Sequence, residues 1–167
     1  MLREATLCFP VRGHPPAQVL LGLKKTGLGA GKLNGFGGKL EPGETAAEAA
    51  ARELREESGV QAHGLQPMAH LTFYFPARPE WDQIVHVFLA HQWEGEPVES
   101  REMRPEWFEA SAIPFDRMWA DDAHWLPLVL QGQMVRAAFT FQADNEAVAA
   151  AEIRPWRPDD ASPKGES

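Results

Sequence analysis

Residues 38–60 read GKLEPGETAAEAAARELREESGV, and this stretch decides the fold. Thr45, followed three residues on by Glu48, has the pattern of a capping box, so a helix is predicted to start there. Ala, Glu, Leu and Arg, all strong helix formers, fill AAEAAARELREES, and Gly59 stands where a left-handed C-terminal cap is expected. On that helix Glu53, Glu56 and Glu57 fall at i, i+3 and i+4 and share one face within an arc of roughly 100°. Crowded carboxylates repel one another, so stability does not place them there. The plain alternative is a solvated acidic face, salt-bridged by Arg52 and Arg55.

The loop ahead of the helix, Leu33 to Glu44, reads LNGFGGKLEPGE. Gly35, Gly37 and Gly38 let the backbone approach a ligand closely and take positive φ. Pro42-Gly43 supplies a tight turn into the helix. Joined to the acidic face, the loop describes a site where hard oxygen donors collect Mg2+, with Mn2+ as a substitute, and bridge phosphates. Phosphate and carboxylate meet only through a cation, so a divalent metal is expected.

Elsewhere the chain reads as one α+β unit without repeats. Strands are expected near Ala5–Val11 and Gln18–Lys24, around Asn34 and Phe36, in LQPMAHLTFYFPA and DQIVHVFLAHQW, over Met103–Ala110, and in VRAAFTFQ and AVAAAEIRP. A second helix is expected over Ala120–Gln131, with Pro127 near its first turn and Gly132 after its end. The proline-rich tail from Pro155 reads as poorly ordered. The chain has 167 residues and a net charge of −8, with no basic stripe, which argues against gripping polymeric nucleic acid. No apolar run approaches a membrane span, and MLREATLCFPVRG reads as the opening of a strand rather than a signal peptide. The single cysteine, Cys8, reads as core filler. A cytoplasmic monomer acting on a small molecule is the expectation.

Gly38, Glu44, Arg52, Glu53, Leu54, Glu56, Glu57, Gly59 and Val60 fit G-x5-E-x7-R-E-U-x-E-E-x-G-U, where U is apolar. In this the chain resembles the Nudix hydrolases. The resemblance implies a mixed β-sheet sandwiched between helices over residues 1–154, with 155–167 as tail. It also implies metal-assisted hydrolysis of a nucleoside diphosphate linked to another group. KKTGLGAGKLNGFGGKLEPGET, HVFLAHQWEGEPVESREMRPEWF, IPFDRMWADDAHWLPLVL and FTFQ further resemble the animal-type oxidised-purine nucleoside triphosphatases, which cleave 8-oxo-dGTP and 2-hydroxy-dATP.

That resemblance implies roles. Glu53, Glu56, Glu57 and Glu102, with the Gly37 carbonyl, hold the metal, and Arg52 orients the glutamates. Glu44 braces the loop. The general base stays open among Glu56, Glu53 and Glu102. Around the base, Asn34 presents an amide, Trp119 stacks, and Phe73 and Met103 pack on the other side. Asp121 and Asp122 face the purine edge and share a proton, while Thr6 and Lys24 complete the substrate site. Read without the resemblance, Asp121-Asp122 caps a helix, Trp125 is a core aromatic, and Lys24 is a solvated lysine. His70, His86 and His91 count as strand residues. The chain departs from these relatives in three places. Leu33 stands where they carry tryptophan and Leu28 where they carry phenylalanine, each removing aromatic surface near the pocket, and the RGHPPAQ turn is longer. Other Nudix substrates (dinucleoside polyphosphates, ADP-ribose, capped RNA) and a non-catalytic sensor are the alternatives.

Overall fold

The structure, a computed structural model, describes residues 2–157. In chain order the regular elements are β1 (Arg3–Arg12), β2 (Gln18–Lys24), β3 (Leu33–Asn34), α1 (Ala46–Ser58), β4 (Gln61–Ala62), β5 (Leu65–Tyr74), β6 (Gln83–Ala90), β7 (Trp93–Glu94), β8 (Met103–Glu109), α2 (Asp122–Leu130), β9 (Val135–Phe141) and β10 (Val148–Pro155). The main sheet has the order β10-β9-β5-β6-β1-β2-β3, with β8 also paired to β2. It is mixed, since β1–β6 and β5–β9 run parallel and the other pairs antiparallel. β4 and β7 form a separate ribbon that the sequence reading did not foresee.

The helices cover opposite faces of the sheet, and β1 shows why. Cys8 points into a cluster with Phe36, Ala50 and Leu54 of the α1 side, while its neighbour Phe9 packs with Trp125 and Leu126 of α2. The twofold alternation of a strand thus serves two cores at once. In β9 the same alternation buries Val135, Ala137, Phe139 and Phe141 and leaves the residues between half-exposed. Full burial of a leucine such as Leu54 contributes about 2 kcal/mol. The Cys8 thiol is wholly enclosed, and burial pushes its pKa up to about 12.

α1 starts and stops where its sequence dictates. Thr45 Oγ1 accepts the Glu48 N–H at 3.1 Å, and Glu48 Oε1 accepts the Thr45 N–H at 2.9 Å. Gly59 closes the helix at φ 77°. A cap of this kind is worth about 1 kcal/mol. α2 begins two residues later than the expected Ala120, and Pro127 stands inside the helix rather than near its first turn.

One irregularity creates the site. β1 and β2 pair only at Val11–Val19 and Arg12–Gln18, so their other ends splay apart. Into the wedge runs the glycine-rich loop, bridging to β1 at Ala5–Lys39 and Cys8–Phe36. At the far edge, Pro155 of β10 pairs with Val135, and the Trp156 N–H donates to the Met134 carbonyl at 2.9 Å. The expected boundary at 154/155 therefore falls inside a strand, and residues 158–167 of the expected tail lie outside the described residues.

Candidate active site

Arg52 organises the acidic face of α1. Its Nε and Nη2 donate to the two oxygens of Glu44 at 2.6 and 2.9 Å. Nη1 donates to Glu53 Oε1 at 2.7 Å and Glu56 Oε2 at 3.3 Å, and Nη2 also reaches the Lys39 carbonyl at 3.3 Å. The fork on Glu44 has the bidentate geometry of strong guanidinium–carboxylate pairs. The Arg52 hydrogen bond, with help from the Glu41 N–H, holds the Glu44 carboxyl down to about 2. Loop and helix are thereby tied through one guanidinium. Arg55 makes no ion pair among the described residues, so the face is not the simple salt-bridged surface of the alternative reading.

Glu57 lies deeper, only 4% exposed, and accepts the Gly37 N–H at 3.0 Å. Burial, then the charge of Glu53, pushes its carboxyl up to about 8 against the opposing pull of Gly37 N–H and Lys24. Glu53 is raised as well, by burial first, with Glu56 and Glu102 adding repulsion against the pull of Arg52. Four carboxylates thus share one field with too little positive charge to balance them. That set of hard oxygens fits a divalent cation. As the side chains stand, no group of acidic or imidazole side chains among the described residues converges on a single ion position. Arg52 draws Glu53 and Glu56 to itself, and Gly37 N–H draws Glu57.

The loop glycines answer to space. A Cβ on Gly37 would sit 1.7 Å from the Thr6 carbonyl oxygen, and one on Gly38 would sit 2.8 Å from the Glu53 carboxyl. None of Gly35, Gly37 and Gly38 takes the positive φ that the sequence suggested.

The wedge opens into a cavity of about 400 Å³. Gly37, Glu57, Thr6, Lys24, Asn34, Phe73, Met103, Trp119, Asp121 and Asp122 all line it. Glu53, Glu56 and Glu102 stand beside it and do not line it, although Glu102 is near enough to raise both Glu53 and Glu57. Phe75 and Phe141 meet Trp119 edge-on at 6.1 and 5.8 Å and fix the plane of the indole. Asn34 Oδ1 accepts the Gly35 N–H at 2.9 Å, so its NH2 group is the part left to meet a ligand. Leu28 lines the cavity. Leu33 is buried in the core and does not line it.

Asp121 and Asp122 are 3% and 2% exposed. Asp121 Oδ2 accepts the Trp125 indole N–H at 2.8 Å, whereas Asp122 Oδ2 is buried with no partner among the described residues. Burial raises both carboxyls, and the neighbouring Asp121 charge takes Asp122 well above its ordinary value. Burial and the proximity of the two acids both favour the neutral form of Asp122. Asp121 stands at the N-cap position of α2 and Asp122 in its first turn, but the Asp121 side chain makes no capping hydrogen bond. Trp125 is fully buried, packs edge-on against Phe9 at 6.0 Å, and is the hydrogen-bond partner that the sequence did not reveal.

A family model described as NUDIX domain matches residues 1–129. This chain is a Nudix hydrolase. It is 50% identical over 133 residues to the oxidized purine nucleoside triphosphate hydrolase of Danio rerio, covering 80% of this chain and 85% of the relative. It is 46% identical over 139 residues to the protein of the same name from Mus musculus, covering 83% and 88%. Among solved structures it resembles the mutator MutT protein of Bacillus halodurans, with a TM-score of 0.78 and 24% identity over 93% of this chain and 100% of that one. This last likeness concerns the fold alone.

Nudix hydrolases generally need divalent cations, in accord with the carboxylate set on α1. Among the described residues no helix is long and apolar enough to cross a membrane. This Nudix hydrolase also lines its cavity with Arg3, Phe75, Trp81, Gln83 and Phe141, which sequence reasoning missed. Alternation along β5 and β9 carried a signal for Phe75 and Phe141, each two residues beyond an inward-facing phenylalanine. Arg3 and Gln83 are register partners on neighbouring strands, a pairing that no local pattern announces.

Proposed function

We propose that this Nudix hydrolase cleaves oxidised purine nucleoside triphosphates, 8-oxo-dGTP and 2-hydroxy-dATP, to the monophosphate and pyrophosphate. It acts as a cytoplasmic monomer that keeps damaged purines out of DNA. The observation that carries this reading is one cavity lined by Glu57, Trp119 and the Asp121–Asp122 pair. A polyphosphate at the glutamates leaves a planar base against the aromatic side chains. The similarity to the fish and mouse hydrolases of oxidised purines supports the same substrate class. A proton shared by Asp121 and Asp122 lets the pair donate to one base edge and accept from another, which suits both oxidised guanine and oxidised adenine.

Glu53, Glu56, Glu57, Glu102 and the Gly37 carbonyl would hold the metal, Mg2+ with Mn2+ as a substitute. When bound, it supplies charge neutralisation on the polyphosphate and acidity to water. The chain's own groups do the rest. Arg52 orients Glu53 and Glu56 through charge-assisted hydrogen bonds. One of Glu53, Glu56 and Glu102 accepts the proton of the attacking water. Lys24, on the cavity wall, offers positive charge to phosphate oxygens, and the NH2 of Asn34 offers a donor to the base.

The test is pyrophosphate release with Mg2+ from 8-oxo-dGTP, 2-hydroxy-dATP, dGTP and diadenosine tetraphosphate, alongside Glu57→Gln. Preference for an oxidised nucleotide, lost in the variant, supports the proposal. Cleavage of the dinucleotide alone reassigns the substrate, and no turnover of any of them removes catalysis from the reading.

A further inference from the structure

The turn between β2 and β3, residues 26–32, carries Leu28 onto the cavity wall. Its backbone is laced to itself and to β2: Gly31 N–H donates to the Lys24 carbonyl at 2.8 Å, and Lys24 N–H to the Lys32 carbonyl at 2.9 Å. The turn lies directly against Trp119. A Cβ on Gly29, which has φ 85°, would stand 3.0 Å from Trp119 Nε1, tighter than an ordinary contact.

Lys32 closes the arrangement from outside. Its ammonium lies 5.1 Å from the Trp119 ring centroid and donates to Glu146 Oε1 at 2.7 Å, across 114 residues of sequence. Glu146 sits in the β9–β10 turn, whose shape is fixed by the Asp144 carboxylate. Asp144 Oδ1 accepts the N–H groups of Glu146 at 2.9 Å and Ala147 at 3.0 Å. The same hairpin contributes Phe141, which meets the Trp119 ring edge-on. The β9–β10 hairpin therefore holds Trp119 twice, by an apolar edge and by a carboxylate acting through a lysine. Lys32 does not line the cavity, but its charge also opposes the rise of the Asp122 carboxyl.

We propose that Lys32, held by Glu146, is a positioning residue for base recognition, setting Trp119 and the Leu28 turn around the ring that enters the cavity. This rests on the oxidised-purine reading for the identity of that ring. An exposed ion pair contributes little to fold stability, so its effect belongs in substrate affinity. Lys32 is 23% exposed and Glu146 60%.

The experiment compares Glu146→Gln, Lys32→Met and Lys32→Arg in the full chain. It measures KM and kcat on 8-oxo-dGTP, melting temperature, and backbone hydrogen exchange of residues 26–32 in the free protein. KM is expected to rise about threefold in Glu146→Gln, the scale of one exposed ion pair. It should rise about tenfold in Lys32→Met, which also takes the cation off the ring. kcat and melting temperature should stay near wild type, exchange over 26–32 should quicken, and Lys32→Arg should keep the wild-type KM. Unchanged KM and exchange in Glu146→Gln and Lys32→Met would overturn the proposal, as would a kcat that falls in step with melting temperature. If the wild type prefers another nucleotide, the substrate reading falls. The same KM comparison on that nucleotide, with the ligand-free exchange, still decides the role of Lys32.

Discussion

Trp125→Phe isolates the one hydrogen bond that reaches the buried acid pair from the core. The substitution keeps an aromatic ring against Phe9 and deletes the indole N–H that Asp121 Oδ2 accepts at 2.8 Å. Stranding a buried carboxylate oxygen costs about 2 kcal/mol. The smaller ring leaves about 40 Å³ at about 24 cal/mol per Å³, a further cost of about 1 kcal/mol. The sum, about 3 kcal/mol, corresponds to a melting temperature lower by about 6–12 °C in a domain of this size. The pH dependence separates the two parts. Burial already holds the Asp121 carboxyl above its ordinary 3.8, and the Trp125 bond pulls it back. Without that bond it rises further, so the folded variant keeps a proton that the unfolded chain has released. Stability then falls, relative to wild type, as pH climbs above the ordinary carboxylate range, and the deficit near pH 8 exceeds that near pH 5. Urea denaturation at both pH values, followed by far-UV circular dichroism, reads the difference. A deficit of about 1 kcal/mol, equal at both, would leave only the cavity and refute the hydrogen bond's part in holding the acid pair.

Other outcomes follow from the same geometry. Gly37→Ala puts a carbon 1.7 Å from the Thr6 carbonyl oxygen, so thermal melting should show a loss of about 3 kcal/mol or more, with turnover lost alongside. Arg52→Lys keeps the charge but not the fork on Glu44, and kcat at saturating Mg2+ should fall about 10- to 100-fold while the circular dichroism spectrum is kept. Asp122→Asn removes a carboxyl raised well above its ordinary value, so the variant should gain stability relative to wild type as pH rises. On the substrate side it should lose one of 8-oxo-dGTP and 2-hydroxy-dATP and keep the other; equal losses would count against a shared proton. Chelation by EDTA should abolish pyrophosphate release and leave the far-UV spectrum intact, because the contacts holding α1 in place are made by protein groups.

Local chemistry was legible where local rules act. The Thr45–Glu48 reciprocal cap, the Gly59 stop and the shared face of Glu53, Glu56 and Glu57 depend on spacing within one helix, and spacing is written in the chain. β2 was read to the residue because an apolar run between turn formers leaves little choice. The pocket was legible only through resemblance. Asp121 and Asp122 ahead of an apolar helix look like caps; what turns them into a buried pair is Trp125, one turn on, whose indole N–H faces back. Lys32 and Glu146 are ordinary surface charges until the fold sets them 2.7 Å apart. The loop glycines were flagged for freedom of φ, yet the reason for Gly37 is the Thr6 carbonyl on β1, a neighbour that appears only once the strands splay.

The enclosure of Cys8 bears on the conditions in which such a protein works. Peroxides attack the thiolate, and a thiol whose pKa is pushed up to about 12 has almost none at neutral pH. The chain carries no other cysteine. Among the side chains able to form a sulfenic acid or a mixed disulfide, the chain therefore offers an oxidant only a buried, protonated thiol.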